Sequence, residues 1–276
     1  MVTINNNNFS IAQIWDSGQC FRMKPIGENT YELIASGRYL KMKEIRQEAK
    51  IETICFCTED EFETFWKHYF DLENDYRKYI EGIDKNDKYL LEAAAYGSGI
   101  HILRQDLWEM IISFIISQQN NIRRIRNIIQ LLSERYGKKC IAEDNTVYYT
   151  FPEPEVLSEV SEEELRNCNL GYRSKYIVKT AKSIVEKEVD LEKIGKMNYI
   201  EARKELMKLY GVGGKVADCI CLFALHHLEA FPIDTHIKQV LDTNYKQGFP
   251  FEKYKGYEGV IQQYIFYFHY SSMGKK

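Results

Sequence analysis

The chain has 276 residues, 45% of them hydrophobic, which is enough apolar material for one large domain or two modest ones. Charged residues make up 28% with no long block of one sign, and no apolar run reaches the roughly 18 residues of a membrane span, so a charged disordered tail and a transmembrane helix are excluded. The net charge of −3 averages over unlike segments: residues 44–92 hold 14 acids against 7 bases, residues 112–139 hold 6 bases against 1 acid, and further basic runs lie at 171–188 and 203–215. A phosphate backbone needs only such local surfaces, although solvated helix faces give the same pattern.

In chain order, MVTINNNNFSIAQIW is polar and lacks the basic start and apolar stretch of a secretory signal, so a cytoplasmic location is expected. The segments 19–26, 29–36 and 38–45 are short, alternate in polarity and are divided by Gly27-Glu28-Asn29 and Gly37, which predicts strands. Thr58 with Glu61 three residues on makes a capping box for a helix over 59–70. Beyond it the periodicity is helical over 106–119, 121–137, a short acidic stretch 155–166, then 173–188, 199–210, 215–227, 235–245 and 257–270. Either Asp234 or Thr235 can cap the helix from 235. The fold class is therefore α+β: a small β-rich N-terminal domain with a flanking helix over 1–95, and a large all-helical domain over 96–276. Seven cysteines (Cys20, Cys55, Cys57, Cys140, Cys168, Cys219 and Cys221) form no C-x-x-C pair and no metal-ligand spacing, and read as reduced thiols packed as small hydrophobes.

The most informative stretch runs from Leu206 to Leu241. Helix, Gly211-Val212-Gly213-Gly214 turn, helix is the pattern of a helix-hairpin-helix over about 201–226. The second helix presents free N–H groups and the positive end of its dipole, a phosphate site that reads no sequence. A plain helical hairpin has the same pattern. Lys215 stands in the first turn of the second helix, where the dipole, neighbouring positive charge and partial burial all favour the free amine and predict a lowered pKa. Such a lysine is a nucleophile able to form a Schiff base. Cys219 follows four residues on, and Asp234 stands at the entry of the next helix, where a carboxylate can stabilise developing positive charge. Taken singly, these residues are equally a surface lysine and a helix cap.

Together they resemble a known family. GVGGKVADCICLFAL (211–225) followed by FPIDTHI (231–237) is similar to the catalytic core of the helix-hairpin-helix DNA glycosylases with a Gly/Pro-rich loop and Asp, and among them to the 8-oxoguanine DNA glycosylases. SGQCFRMK (17–24), FIISQQNNIRRI (114–125), LGYRSKY (170–176) and GVIQQYIFYF (259–268) occur in that family's order, so the resemblance covers about residues 9 to 270. Tyr210 stands where the hairpin usually has proline, Gln118 and Gln119 where eukaryotic members have Ser and Asn, and Met23 where tryptophan is usual.

The resemblance implies a small antiparallel sheet ahead of the helical domain. It implies a bifunctional enzyme that removes 8-oxoguanine and cleaves the strand by β-elimination. Its partner is double-stranded DNA with the lesion opposite cytosine, met by a monomer that requires no cofactor and has no iron–sulfur cluster. By motif position, Lys215 and Asp234 are catalytic. Tyr172 is the wedge that everts the nucleotide, Arg173 and Arg124 donate to the widowed cytosine, and Asn120 fills the gap. Phe266 and Cys219 wall the base slot, Gln262 reads the Watson–Crick edge, and the Gly18 carbonyl accepts the N7 hydrogen of 8-oxoguanine. Phe266 lies in YIFYF, where core packing is the rival reading. His236 is implied as a phosphate contact beside the hairpin at Gly211 and Gly213, and the carbonyls of Tyr210 and Val212 as holders of a monovalent cation. Two rivals stay open: a glycosylase for alkylated bases, which uses water and needs no lysine there, and a non-catalytic DNA-binding hairpin, which needs neither Lys215 nor Asp234.

Overall fold

The computed structural model describes residues 1–47 and 50–274. An antiparallel five-stranded sheet has the order β1-β5-β4-β3-β2, with β1 Val2–Asn5, β2 Met23–Gly27, β3 Thr30–Ala35, β4 Arg38–Gln47 and β5 Lys50–Cys55. The three strands read from alternation are the β2–β4 meander. Strands β1 and β5, which the sequence reading did not single out, extend it, pairing Val2 with Cys55 and Cys55 with Met42. The first predicted strand begins at residue 23, not 19. Gln19 is instead drawn into the body: its Nε2 donates to the His101 carbonyl at 2.9 Å, and its Oε1 accepts from the Leu103 N–H at 2.9 Å.

One face of the sheet buries Met23, Leu33, Leu40, Met42 and Cys55 against helix α1 (Ile11–Asp16) and a helical run over residues 59–69 that contributes Trp66 and Tyr69. Thr58 caps that run through the Glu61 N–H at 3.1 Å, but the Glu61 carboxylate does not return the bond; it accepts from Trp66 Nε1 at 3.1 Å, so only half of the predicted box forms. Two short strands, Lys139–Ile141 and Val147–Tyr149, form an outlying hairpin that the alternation did not reveal.

The second core is helical. Its main members are α2 (Lys88–Tyr96), α3 (Leu107–Ser117), α4 (Ile122–Tyr136), α5 (Arg173–Val185), α6 (Tyr199–Leu206), α7 (Gly214–Phe223), α8 (Thr235–Asn244) and α9 (Glu258–Ser272). The predicted helix over 155–166 is two, Pro154–Glu159 and Glu162–Arg166, because Ser161 starts afresh with a reciprocal capping box to Glu164. Leu90, Ala93 and Ala94 of α2 belong to this helical core together with Ile261 and Ile265 of α9.

A buried carboxylate ties the end of the 59–69 run to the segment that follows α7. Asp71 Oδ2 lies 3.1 Å from His226 Nε2 and accepts from the Tyr76 hydroxyl at 2.8 Å, while Oδ1 pairs with Arg104 at 2.9 Å. Burial alone would raise its pKa, but the His226 contact and the Asn74 and Tyr76 donors outweigh burial and hold the carboxyl well below the usual carboxylate range. Its stabilising contribution is therefore complete above the unfolded carboxyl pKa of about 3.9 and lost as pH falls through the lower folded value. Asp71→Asn is expected to lower unfolding free energy at neutral pH by roughly 2–3 kcal/mol, the scale of a charged hydrogen bond, with the gap to wild type closing in strong acid. Chemical denaturation at several pH values measures it.

Candidate active site

The hairpin is held from three sides. Arg203 on α6 pairs with Asp218 on α7 at 2.6 Å, and the Tyr199 hydroxyl donates to the same carboxylate at 2.7 Å. In the turn, Gly211 has φ +79°, and a Cβ there would sit 2.7 Å from the Tyr176 ring, so only glycine lets the turn close against α5. Gly213 is exposed and caps α7 with no side-chain hydrogen bond, leaving the first N–H groups of α7 free to meet an anion.

Below the hairpin opens a cleft of about 920 Å³. Lys215 and Cys219 line it from α7, Asp234 and His236 from the start of α8, and Gln262 and Phe266 from α9; Gly18 and Asn120 close the rim. Residues more than 200 positions apart in the chain thus converge on one space.

Lys215 is half-buried, its Nζ 5.8 Å from the centroid of the Phe114 ring. The lowered pKa read from the sequence is not what the structure supports. The Cys219 sulfur beside it and the Asp234 carboxylate hold the ammonium above the ordinary lysine value, with burial opposing them. Burial pushes the Cys219 thiol itself up to about 11, so it is neutral at pH 7 and Asp234 is the countercharge that remains. Asp234 caps α8, its Oδ1 accepting from the Ile237 N–H at 2.8 Å. It forms no ion pair with Lys215 among the described residues, so the two groups face one cleft with room between them.

Gln262 is 4% exposed, and its Nε2 donates to the Pro232 carbonyl at 3.1 Å. That carbonyl can only accept, which fixes the amide orientation and leaves Oε1 buried without a donor. An orphaned acceptor costs about 1–3 kcal/mol, which a ligand N–H would recover. Phe266 is half-buried, stacked at 5.7 Å on Tyr270 and edge-on to His236 at 5.6 Å, whereas its neighbours Ile265 and Tyr267 are core. Gly18 has φ +77°, and a Cβ there would lie 2.9 Å from Ile122 Cδ1 and 3.3 Å from Phe266 Cε1. Gln263, which the sequence reading left out, donates from Nε2 to the Ser17 carbonyl at 2.6 Å and so anchors the Gly18 turn to α9; its only sequence signal is its place beside Gln262. Gly18→Ala is expected to strain the turn at its positive φ, displace Ile122 and Phe266, lower the unfolding midpoint and cut excision about tenfold or more, as thermal unfolding and single-turnover kinetics would show.

The outer residues are arranged less as the sequence suggested. Tyr172 is 46% exposed and Arg124 is exposed, both available to a large partner. Arg173 is not: it is 4% exposed, with Nε donating to the Gln118 carbonyl at 3.0 Å, Nη2 to Gln119 at 3.2 Å and Nη1 to Leu170 at 3.3 Å. The carbonyl end of α3 carries the negative pole of its dipole, which draws the guanidinium inward. Asn120 is half-buried, its Nδ2 spent on the Ile116 carbonyl at 3.1 Å. Gln119, next to it, is exposed at φ +48° on the cleft rim and is freer to enter a gap. Gln118 Nε2 reaches the Gly211 carbonyl at 2.9 Å, joining this turn to the hairpin. The Tyr210 carbonyl already accepts from Thr180 Oγ1 at 3.0 Å, and Lys179 Nζ lies 4.5 Å from the Tyr210 ring centroid. The Tyr210 carbonyl keeps a second lone pair beside the Thr180 bond, and no step below uses a cation there.

Comparison with known proteins agrees with this geometry. Residues 1–111 match the family described as 8-oxoguanine DNA glycosylase, N-terminal domain, and residues 112–246 match the HhH-GPD superfamily base excision DNA repair proteins. The chain is 31% identical over 267 residues to the N-glycosylase/DNA lyase of Saccharomyces cerevisiae, covering 89% of this chain and 70% of that one. The 8-oxoguanine glycosylase/lyase of Clostridium acetobutylicum, solved with double-stranded DNA containing cytosine opposite 8-oxoguanine, superposes with a TM-score of 0.87 at 33% identity, covering 99% of each chain. A 3-methyladenine DNA glycosylase from Archaeoglobus fulgidus shares the fold, with a TM-score of 0.71 at 19% identity and 98% of each chain covered. With hairpin, cleft and both halves of the chain in agreement, the protein belongs to the 8-oxoguanine DNA glycosylases of the helix-hairpin-helix superfamily.

Proposed function

We propose that the protein is a base-excision-repair glycosylase that everts 8-oxoguanine from duplex DNA, removes it through a lysine Schiff base, and cleaves the strand by β-elimination. The observation that carries this reading is that an amine, a carboxylate and a donor-starved amide oxygen share one nucleoside-sized cleft directly beneath a phosphate-binding turn.

The everted base enters between Phe266 and Cys219. The partnerless Gln262 Oε1 accepts from N–H groups on the purine's Watson–Crick edge. The Gly18 carbonyl accepts the N7 hydrogen that guanine lacks, a bond worth about 1–3 kcal/mol where its loss would strand a buried group. Lys215 enters as an ammonium and must lose its proton before it can attack. The free amine then bonds to C1′ while the glycosidic bond breaks, its electron pair leaving with the base, which takes up a proton. Asp234 offsets positive charge on the sugar meanwhile. Ring opening gives the Schiff base, and loss of a C2′ proton expels the 3′ phosphate with the C–O electron pair. Tyr172 wedges the duplex, Gln119 or Asn120 fills the space left behind, and His236 contacts phosphate. Arg124 meets the widowed cytosine directly; Arg173 does so only by leaving its three carbonyls.

No helix among the described residues is long and apolar enough to cross a membrane. We infer a monomer acting in the cytoplasm on chromosomal DNA, with no cofactor, since the nucleophile is the chain's own amine. The test is nicking and borohydride trapping on duplexes carrying 8-oxoguanine opposite each of the four bases. A trapped adduct and a nick without alkali are expected. Base release with cleavage only in alkali would favour the water-using rival, and binding without base release would favour the bare DNA-binding hairpin.

A further inference from the structure

Tyr210 is large, aromatic and 47% exposed at the tip of a turn where the family's usual proline offers no such side chain. It is also rigidly mounted. Its carbonyl is held by Thr180 Oγ1 at 3.0 Å, and the next residue, Gly211, lies against the Tyr176 ring. Tyr176 in turn meets Tyr172 edge-on at 5.8 Å. Residues 172, 176, 179 and 180 are spaced so that one face of α5 looks at the hairpin, and this face joins the two exposed tyrosines, Tyr172 and Tyr210, into one rim.

Lys179 completes the arrangement. Its Nζ lies 4.5 Å from the Tyr210 ring centroid, and it forms no ion pair among the described residues, whereas Lys208 nearby is paired with Glu205 at 2.6 Å. A ring face holds an ammonium in place but neutralises none of its charge and leaves N–H donors for an anion. The uncapped N–H groups of α7 begin four residues after Tyr210, so the charge stands beside a backbone phosphate site.

Resting on the reading above, we propose that Tyr210 and Lys179 form a side-chain clamp on the DNA backbone, in which Lys179 contacts one phosphate and the Tyr210 ring packs on the adjoining deoxyribose. The clamp adds a contact indifferent to sequence and to damage, next to the contact made by the hairpin's own N–H groups.

The experiment is equilibrium binding across a salt series to an undamaged duplex and to one carrying 8-oxoguanine. Each phosphate contact contributes about 0.9 to the slope of log K against log salt. Lys179→Gln is expected to reduce the slope by about that much, with equal loss of affinity on both duplexes. Tyr210→Phe keeps the ring and the slope. Tyr210→Ala releases the ammonium and is expected to reduce the slope as Lys179→Gln does, while the double variant loses little more than Tyr210→Ala alone. An unchanged slope in Lys179→Gln, or losses that add in full, would overturn the clamp. Wild-type protein that binds with the expected slopes but releases no 8-oxoguanine would overturn the glycosylase reading and leave the clamp standing. Excision with an unaltered Lys179→Gln slope would do the reverse.

Discussion

Lys215→Gln is expected to abolish the borohydride-trapped adduct and to lower base release by on the order of 10³-fold or more, because the other lysine that lines the cleft, Lys238, is exposed on α8 whereas Lys215 is half-buried beside Cys219. Glutamine keeps most of the stem packed beside Phe114, so the fold should survive; the unfolding midpoint checks that. Binding to lesion DNA should persist, since the slot and the hairpin are untouched. The raised lysine pKa adds a second expectation. Wild-type excision should climb with pH toward the alkaline side, since the reacting form is the minority form at neutrality. A Lys215→Gln protein that still traps would remove the nucleophile from this account.

Asp234→Asn separates two duties of one side chain. The carboxylate caps α8 and, in the mechanism proposed above, offsets charge on the sugar. Asparagine caps a helix as well as aspartate does, so the unfolding midpoint should stay within about 0.5 kcal/mol of wild type. The charge is gone, and base release should fall by about 10²–10³-fold, the usual cost of removing one electrostatic stabiliser from an enclosed site. Asp234→Ala should lose the same rate and about 1 kcal/mol of stability besides. Single-turnover kinetics with thermal unfolding distinguish the cases, and an active Asp234→Asn would leave the residue as a cap only.

The chain's own pattern went far, and its failures have physical causes. Helical periodicity located α3, α4 and α9 to within a few residues, because each carries a long apolar stripe and, for α3 and α4, an Asp106 or Asn121 cap. Strand β1 escaped notice because it is a four-residue edge strand whose partner lies fifty residues along the chain, and β5, paired on both sides, because its buried residues are Thr53 and Cys55 and not large apolar side chains. Lys215 and Asp234 were legible from type and spacing as a candidate pair, and the structure brings both to one cleft. The charge state of Lys215 was not, since it depends on Asp234 and Cys219 closing on it from other turns. Arg173 was legible as a cation near the site but not as one folded inward, because the carbonyls that hold it are backbone atoms that no residue type announces. Gln119 and Gln263 act through position, which a sequence does not spell.

The thiols carry a last consequence. All seven described cysteines are free, and burial lifts Cys20, Cys55, Cys57, Cys168, Cys219 and Cys221 above the ordinary thiol value, Cys219 and Cys57 to about 11. Peroxide attacks thiolate, and these six thiols form almost none at physiological pH. A guardian against oxidised guanine has to work hardest during oxidative stress, when exposed or ionised sulfur elsewhere in the cell is being consumed. Keeping these six thiols buried and protonated lets the enzyme outlast the chemistry that creates its workload.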